Sequence, residues 1–189
     1  MDRTLAVAAE VAALLASRGA RSAVIGAVAL AVRGYPRATE DVDLATVVDP
    51  RTILSEVARE LRDRGYETDL TMPDADDPLG GVLTVRAPNA DPVQVVNYFN
   101  PWNGWAEVGK HAVETAEAEA LPGLAVVDVP HLVALKLYAG GRKSELDVLE
   151  LIDRVSAATL ESVRTVCEDL RLGAELAAVL AREPRRPTK

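Results

Sequence analysis

Apolar residues near the N-terminus recur at mixed three- and four-residue spacing: Leu5, Ala8, Ala9, Val11, Ala12, Leu14 and Leu15. That period predicts an alanine-rich amphipathic helix over residues 4–17, with Gly19 following as its stop. RSAVIG then reads as a short buried strand ending at Gly26, and AVALAVRG as a helix stopped at Gly34, before the Tyr35-Pro36 step. A second strand, DVDLATVV, is broken by Asp49-Pro50, and ILSEVARELRDRG carries Ile53, Leu54, Val57, Ala58 and Leu61 along one side of a helix. From YETDLTM onward the pattern changes to strands. GGVLTVRAP and DPVQVVNYF are β-rich runs separated by the turn-forming Pro88-Asn89-Ala90-Asp91-Pro92, and PDADDP reads as an exposed acidic loop. A short strand at LAVVDV leads into Pro130, a natural first-turn residue for a helix over HLVALKLYAG. Beyond about Arg142 only helical patterns remain, in SELDVLELIDRV, TLESVRTVCEDL and GAELAAVLARE. The expected fold is α/β of the α+β type, a small mixed sheet flanked by helices. Residues 1–140 form its core and residues 141–189 a C-terminal helical portion, divided at Gly140-Gly141.

Composition narrows the classes. A chain of 189 residues that is 49% hydrophobic is long enough for one domain with a proper core, extended by a small helical annex. No run approaches the roughly 20 consecutive apolar residues that a membrane span needs, and Asp2 and Glu10 interrupt the N-terminal segment where a secretion signal is basic and then apolar. A soluble, cytoplasmic protein with no membrane partner is therefore expected. With 29 acidic against 21 basic residues, the formal charge of −8 opposes non-specific attraction to nucleic acid. REPRRPTK is the one dense basic cluster. Cys167, the single cysteine, has neither a disulfide partner nor a second thiol for a metal and reads as a small core residue.

Candidate chemistry concentrates in residues 24–46, VIGAVALAVRGYPRATEDVDLAT. Residues two apart in a strand share a face, with Cα atoms roughly 6.5 to 7 Å apart, so Asp41 and Asp43 project side by side. Their repulsion is relieved by a shared divalent cation such as magnesium, which prefers oxygen ligands and completes its shell with water or phosphate. Just upstream, the Gly26-Ala27 turn opens a helix whose first backbone N–H groups and dipole suit an anion. His111 and His131 lack a metal-binding or catalytic arrangement with each other, and His131 reads as a surface or capping residue. Trp102 and Trp105 read as a loop-anchoring pair, with stacking on a base as the alternative.

A small-residue turn followed ten to fifteen residues later by Asp-x-Asp resembles the signature of the polymerase-beta-type nucleotidyltransferases. The form GYPRATEDVDL, with Gly34, Arg37, Thr39 and the aspartate pair, is most similar to the minimal bacterial members that include the AbiEii-like toxins. GLAVVDVPHLVALKLYAGGRKSELDVLELI is similar to their later segment, in which a lysine on one helix is followed by an acidic residue opening the next, here Lys136 and Asp147. The resemblance implies that Gly26 and Ala27 hold phosphate, that Asp41 and Asp43 bind Mg2+ or Mn2+, and that Lys136 contacts the nucleotide, with Arg37 and Thr39 beside it. Arg37 either reaches phosphate or pairs with Glu40. The implied activity is transfer of a nucleoside monophosphate from an NTP to an RNA, a protein or a small-molecule acceptor, with an antitoxin protein as partner if the chain is a toxin.

Two positions depart from the family pattern. Ala27 stands where a second Gly or a Ser is usual, which removes a hydroxyl but keeps the backbone N–H. Gln94 stands where the family supplies a third carboxylate, and glutamine neither holds a second metal well nor takes a proton from an attacking hydroxyl. Asp91 and Asn97, each three residues away, point to the opposite face of a regular strand. The alternatives are thus a catalytically weakened member that binds nucleotide or a partner, or an antibiotic-modifying nucleotidyltransferase.

Overall fold

The computed structural model describes residues 2–182, without the side chains of Trp105 and Glu119. Apart from Arg182, the basic tail lies outside the described residues. Helix α1 (Asp2–Ala16) buries Val7, Ala8, Val11, Leu14 and Leu15, and α3 (Ser55–Asp63) buries Val57, Ala58 and Leu61. Together they cover one face of a seven-stranded mixed sheet. Its strands are β1 (Ser22–Val24), β2 (Val42–Thr46), β3 (Glu67–Thr71), β4 (Val82–Arg86), β5 (Val93–Asn97), β8 (Glu117–Leu121) and β9 (Leu124–Val126), in the order β3-β4-β5-β2-β1-β9-β8. The β2–β5 and β1–β9 pairs are parallel and the rest antiparallel.

Strand alternation sorts the side chains. Val42, Leu44, Leu83, Val85, Val93 and Val95 are fully buried and form the core beneath α1 and α3. The register Asp69↔Thr84↔Gln94↔Asp43 runs a polar row across the other face. That face is covered over β1 and β2 by α2 (Gly26–Val32) and α4 (Glu107–Glu114), on which α5 (Val129–Ala139) packs in turn. Over β5, β4 and β3 it stays half-buried to exposed.

Helix α5 is apolar on nearly every side, and it packs against α4, α6 (Gly141–Ile152) and α7 (Ala157–Asp169), with α8 (Gly173–Arg182) closing the outer layer. Asp128 caps its start by accepting a hydrogen bond from the His131 N–H. At the far end of β2 and β5, the buried Asn97 side chain rivets three loops. It accepts from Val48 N at 3.0 Å and donates to the carbonyls of Val48, Gly80 and Phe99 at 2.9 to 3.0 Å.

The structure adds elements that the apolar pattern does not predict, among them α4 and β8. Strand β8, Glu117–Leu121, is made of glutamate, alanine and leucine, poor strand formers, and it is held by its ladder to β9 across the Pro122-Gly123 turn. A small hairpin of β6 (Phe99–Asn100) and β7 (Gly104–Trp105) follows β5. Asp147 does not open a helix as expected but lies midway along α6, which begins at Gly141.

Candidate active site

Gly26 opens α2 with φ +64, a conformation that side chains disfavour. A Cβ built there would lie 2.0 Å from Asp43 Oδ2. The carboxylate of Asp43 thus presses against the backbone of the turn, beside the first amides of α2, which have no intrahelical acceptor by position. The Ala27 methyl is buried in the core, so this residue offers the cleft its backbone only. At its other end α2 is stopped by Gly34, where Tyr35 N–H reaches back to Leu30 O at 2.9 Å, and the chain then returns through residues 35–41 to β2.

Asp41 and Asp43 stand on β2 and at its mouth, and Gln94 is the direct cross-strand partner of Asp43. Gln94 Nε2 donates to Asp41 Oδ2 at 3.4 Å, and Thr39 Oγ1 donates to Asp41 Oδ1 at 2.6 Å. Thr39 therefore orients a carboxylate. Burial, and secondly the charge of Asp41, push Asp43 up to about 6 from the ordinary 3.8, against the opposing pull of Lys136, Arg37 and Lys143. These three cations surround the carboxylate pair from α5, the 35–41 segment and the start of α6.

Arg37 does not pair with Glu40. Its Nε lies 3.3 Å from Asp147 Oδ1, and Lys136 Nζ lies 2.8 Å from Asp147 Oδ2. Asp147 is 2% exposed. Sequence reasoning named Lys136 and Asp147 only as counterparts of family residues; the Arg37 contact joins positions 110 apart and left no local signal. Lys143 as a neighbour of Asp43 was also missed, as was the approach of Thr84 and Asp69 to the same row.

Among the described residues no group of three or more His, Cys, Asp or Glu gathers where it could hold a metal. Two carboxylates nevertheless fit one hard cation whose remaining ligands come from water and phosphate. Burial, and secondly the repulsion from Asp41, strain the ionised Asp43, and such a cation would relieve that strain.

The histidines correct the sequence reading. His131 is buried, with Nδ1 at 2.7 Å from Asp128 Oδ1 and 3.1 Å from Thr115 Oγ1, and its ring centroid lies 6.3 Å from that of His111, itself 3.5 Å from Glu107 Oε2. Burial alone would raise Asp128, but the hydrogen bonds from His131 outweigh it and hold Asp128 below the usual carboxylate range. The pair ties α4 to the start of α5. Trp102 is not an anchor: it is 52% exposed, with the Arg51 guanidinium 4.7 Å from its ring centroid.

The architecture is that of the nucleotidyltransferase fold. The antibiotic-resistance factor ANT(2'')-Ia superposes with a TM-score of 0.50 at 16% identity, over 96% of this chain and 94% of that one. An antigenic nucleotidyltransferase-like protein from Paracoccidioides brasiliensis gives 0.50 at 18% identity, over 98% and 95%. A provisionally named nucleotidyltransferase from Thermotoga maritima gives 0.51 at 13% identity, over 82% and 95%. At such identities the likeness is one of fold. No protein-family model and no curated protein matches the chain.

Proposed function

We propose that the chain is a divalent-metal-dependent nucleotidyltransferase that moves a nucleoside monophosphate from an NTP to an acceptor hydroxyl or phosphate. The observation that carries this reading is the contact of Asp43 with the Gly26 turn, which sets a carboxylate pair against a helix start. In this reading Asp41 and Asp43 hold Mg2+ or Mn2+, which when bound neutralises phosphate oxygens and polarises the α-phosphate. The first-turn amides of Gly26 and Ala27 bind phosphate, and Lys136 and Arg37 supply charge-assisted donors to it. Thr39 fixes the rotamer of Asp41. Gln94 orients the same carboxylate and cannot take a proton, so the proton of the attacking hydroxyl leaves without help from β5.

The acceptor in this reading is an RNA end, a protein side chain or a small molecule such as an antibiotic. The toxin form, with an antitoxin as partner, rests on the AbiEii-like residues. The register of Gln94 opposite Asp43 favours one further reading, a member that binds nucleotide and turns it over slowly or not at all. Pyrophosphate release from mixed NTPs with magnesium or manganese separates the two. Release in the parent that is lost in Asp43→Asn supports transfer. Binding of NTP and metal without release supports the binding reading, and failure to bind either removes both.

A further inference from the structure

Asp147 is a buried carboxylate between two cations, Arg37 from the 35–41 segment and Lys136 from α5. Its side chain is 3% exposed, and those of Arg37 and Lys136 are 21% and 13% exposed. Although the ion pairs are close, neither Arg37 Nε nor Asp147 Oδ2 makes a hydrogen bond. One carboxylate does not neutralise two cations, so a net positive charge remains, and the Arg37 Nε donor is unspent. That matters because a planar guanidinium and a three-donor ammonium are suited to phosphate oxygens. The fields of the same two cations also reach Asp43. Without a carboxylate between them, the two cations would be left to pair with Asp43, whose charge they already feel, and such pairing would occupy both a metal ligand and the phosphate donors.

We propose that Asp147 is a positioning residue for the triphosphate: it holds Lys136 and Arg37 back from Asp41 and Asp43 and keeps their donors available to phosphate oxygens. This rests on the nucleotidyltransferase reading and extends it to a residue that touches neither metal nor phosphate. Asp147 also links the 35–41 segment to α5 and α6, so phosphate groups bound to the two cations would draw these three segments together.

Simple electrostatics predicts the opposite sign, which makes the test discriminating. Removing a negative charge near a phosphate seat should tighten anion binding, whereas removing a positioning group should weaken it. The measurement is calorimetric titration of the full chain with inorganic tripolyphosphate in the presence of magnesium, alongside thermal unfolding. Asp147→Asn is expected to weaken tripolyphosphate binding about tenfold, the scale of one misplaced charge-assisted contact. Asp147→Glu keeps both cations paired and the protein folded, and by moving them about one methylene it is expected to weaken binding a few-fold at near-parental Tm. Unchanged or tighter binding in Asp147→Asn overturns the proposal. If that variant does not fold, Asp147→Glu decides: weaker binding supports the assignment and parental affinity overturns it. A parent that binds no tripolyphosphate overturns the nucleotidyltransferase reading together with this inference, whereas a binding parent with insensitive variants overturns the inference alone.

Discussion

Replacing Asp43 with asparagine should make the metal-free protein more stable while removing its affinity for divalent metal. Asp43 is pushed up to about 6 from 3.8 by burial and by Asp41. A displacement of about two units corresponds to about 3 kcal/mol of strain in the ionised folded state. Asparagine removes that charge but must place an amide in a carboxylate's seat against Gly26, so a net gain of about 1 to 3 kcal/mol is expected at pH 8. For a chain of this length that is on the order of 3 to 10 °C in Tm. The sign of the pH dependence follows from the raised value. Above about pH 6 the folded parent carries the strained carboxylate, while the unfolded chain ionises it freely. Between about pH 6 and 4 the folded state binds more protons, so the parent gains stability on acidification and the variant does not. The difference between them should therefore close as pH falls through that window. The assay is thermal unfolding of both proteins in chelator at pH 8 and at pH 4.5, repeated at pH 8 with excess magnesium. Magnesium should raise the Tm of the parent and leave that of the variant unmoved. A variant less stable than the parent at pH 8 in chelator, or a gap of equal size at both pH values, would refute the account of Asp43 as a strained ligand.

Gly26→Ala introduces a methyl that overlaps Asp43 Oδ2 and forces a positive φ on alanine. A loss of about 1 to 3 kcal/mol in urea unfolding is expected, with weakened binding of both metal and triphosphate by calorimetry; parental stability and affinity would count against the packed turn. Gln94→Asp places a third carboxylate directly opposite Asp43. Nucleotidyl transfer, followed with labelled NTP, is expected to rise by about 10²-fold or more and to lose that gain when Asp43→Asn is added. A slower single variant would show that the position has another role.

The strands that build the site were legible because their neighbours alternate. DVDLATVV and DPVQVVNYF each carry a valine-rich core face, and burying that face forces Asp43 and Gln94 onto the other one. The same logic rejects Asn97 as a replacement ligand, and the fold shows it buried as a loop rivet. Where local preference and tertiary context disagree, the reading failed. Residues 117–121 have glutamate and alanine, which do not ask for a strand, and only the edge of β9 makes them one. Partners distant in the chain were equally hidden. Arg37 was assigned to its neighbour Glu40 or to phosphate, since a single sequence gives no distance to Asp147. His131 was read as a surface or capping residue for the same reason, though it is buried and two helices bring its ring beside that of His111.

The half-covered sheet has a consequence for how such a protein can change. Over β5 and β4 the core positions Val93, Val95, Leu83 and Val85 lie beneath α1 and α3, while Val96, Val82, Thr84 and Asp69 of β5, β4 and β3 line the side left open. The ladder already engages the backbone groups of these strands, so a molecule resting there meets side chains and little else. Those side chains carry little of the packing that keeps the domain folded. Selection could exchange them one at a time, altering what the floor accepts while the carboxylate strand and the glycine turn stay as they are. Separating a changeable floor from the strand and turn beside it lets one scaffold alter what rests on it without being rebuilt.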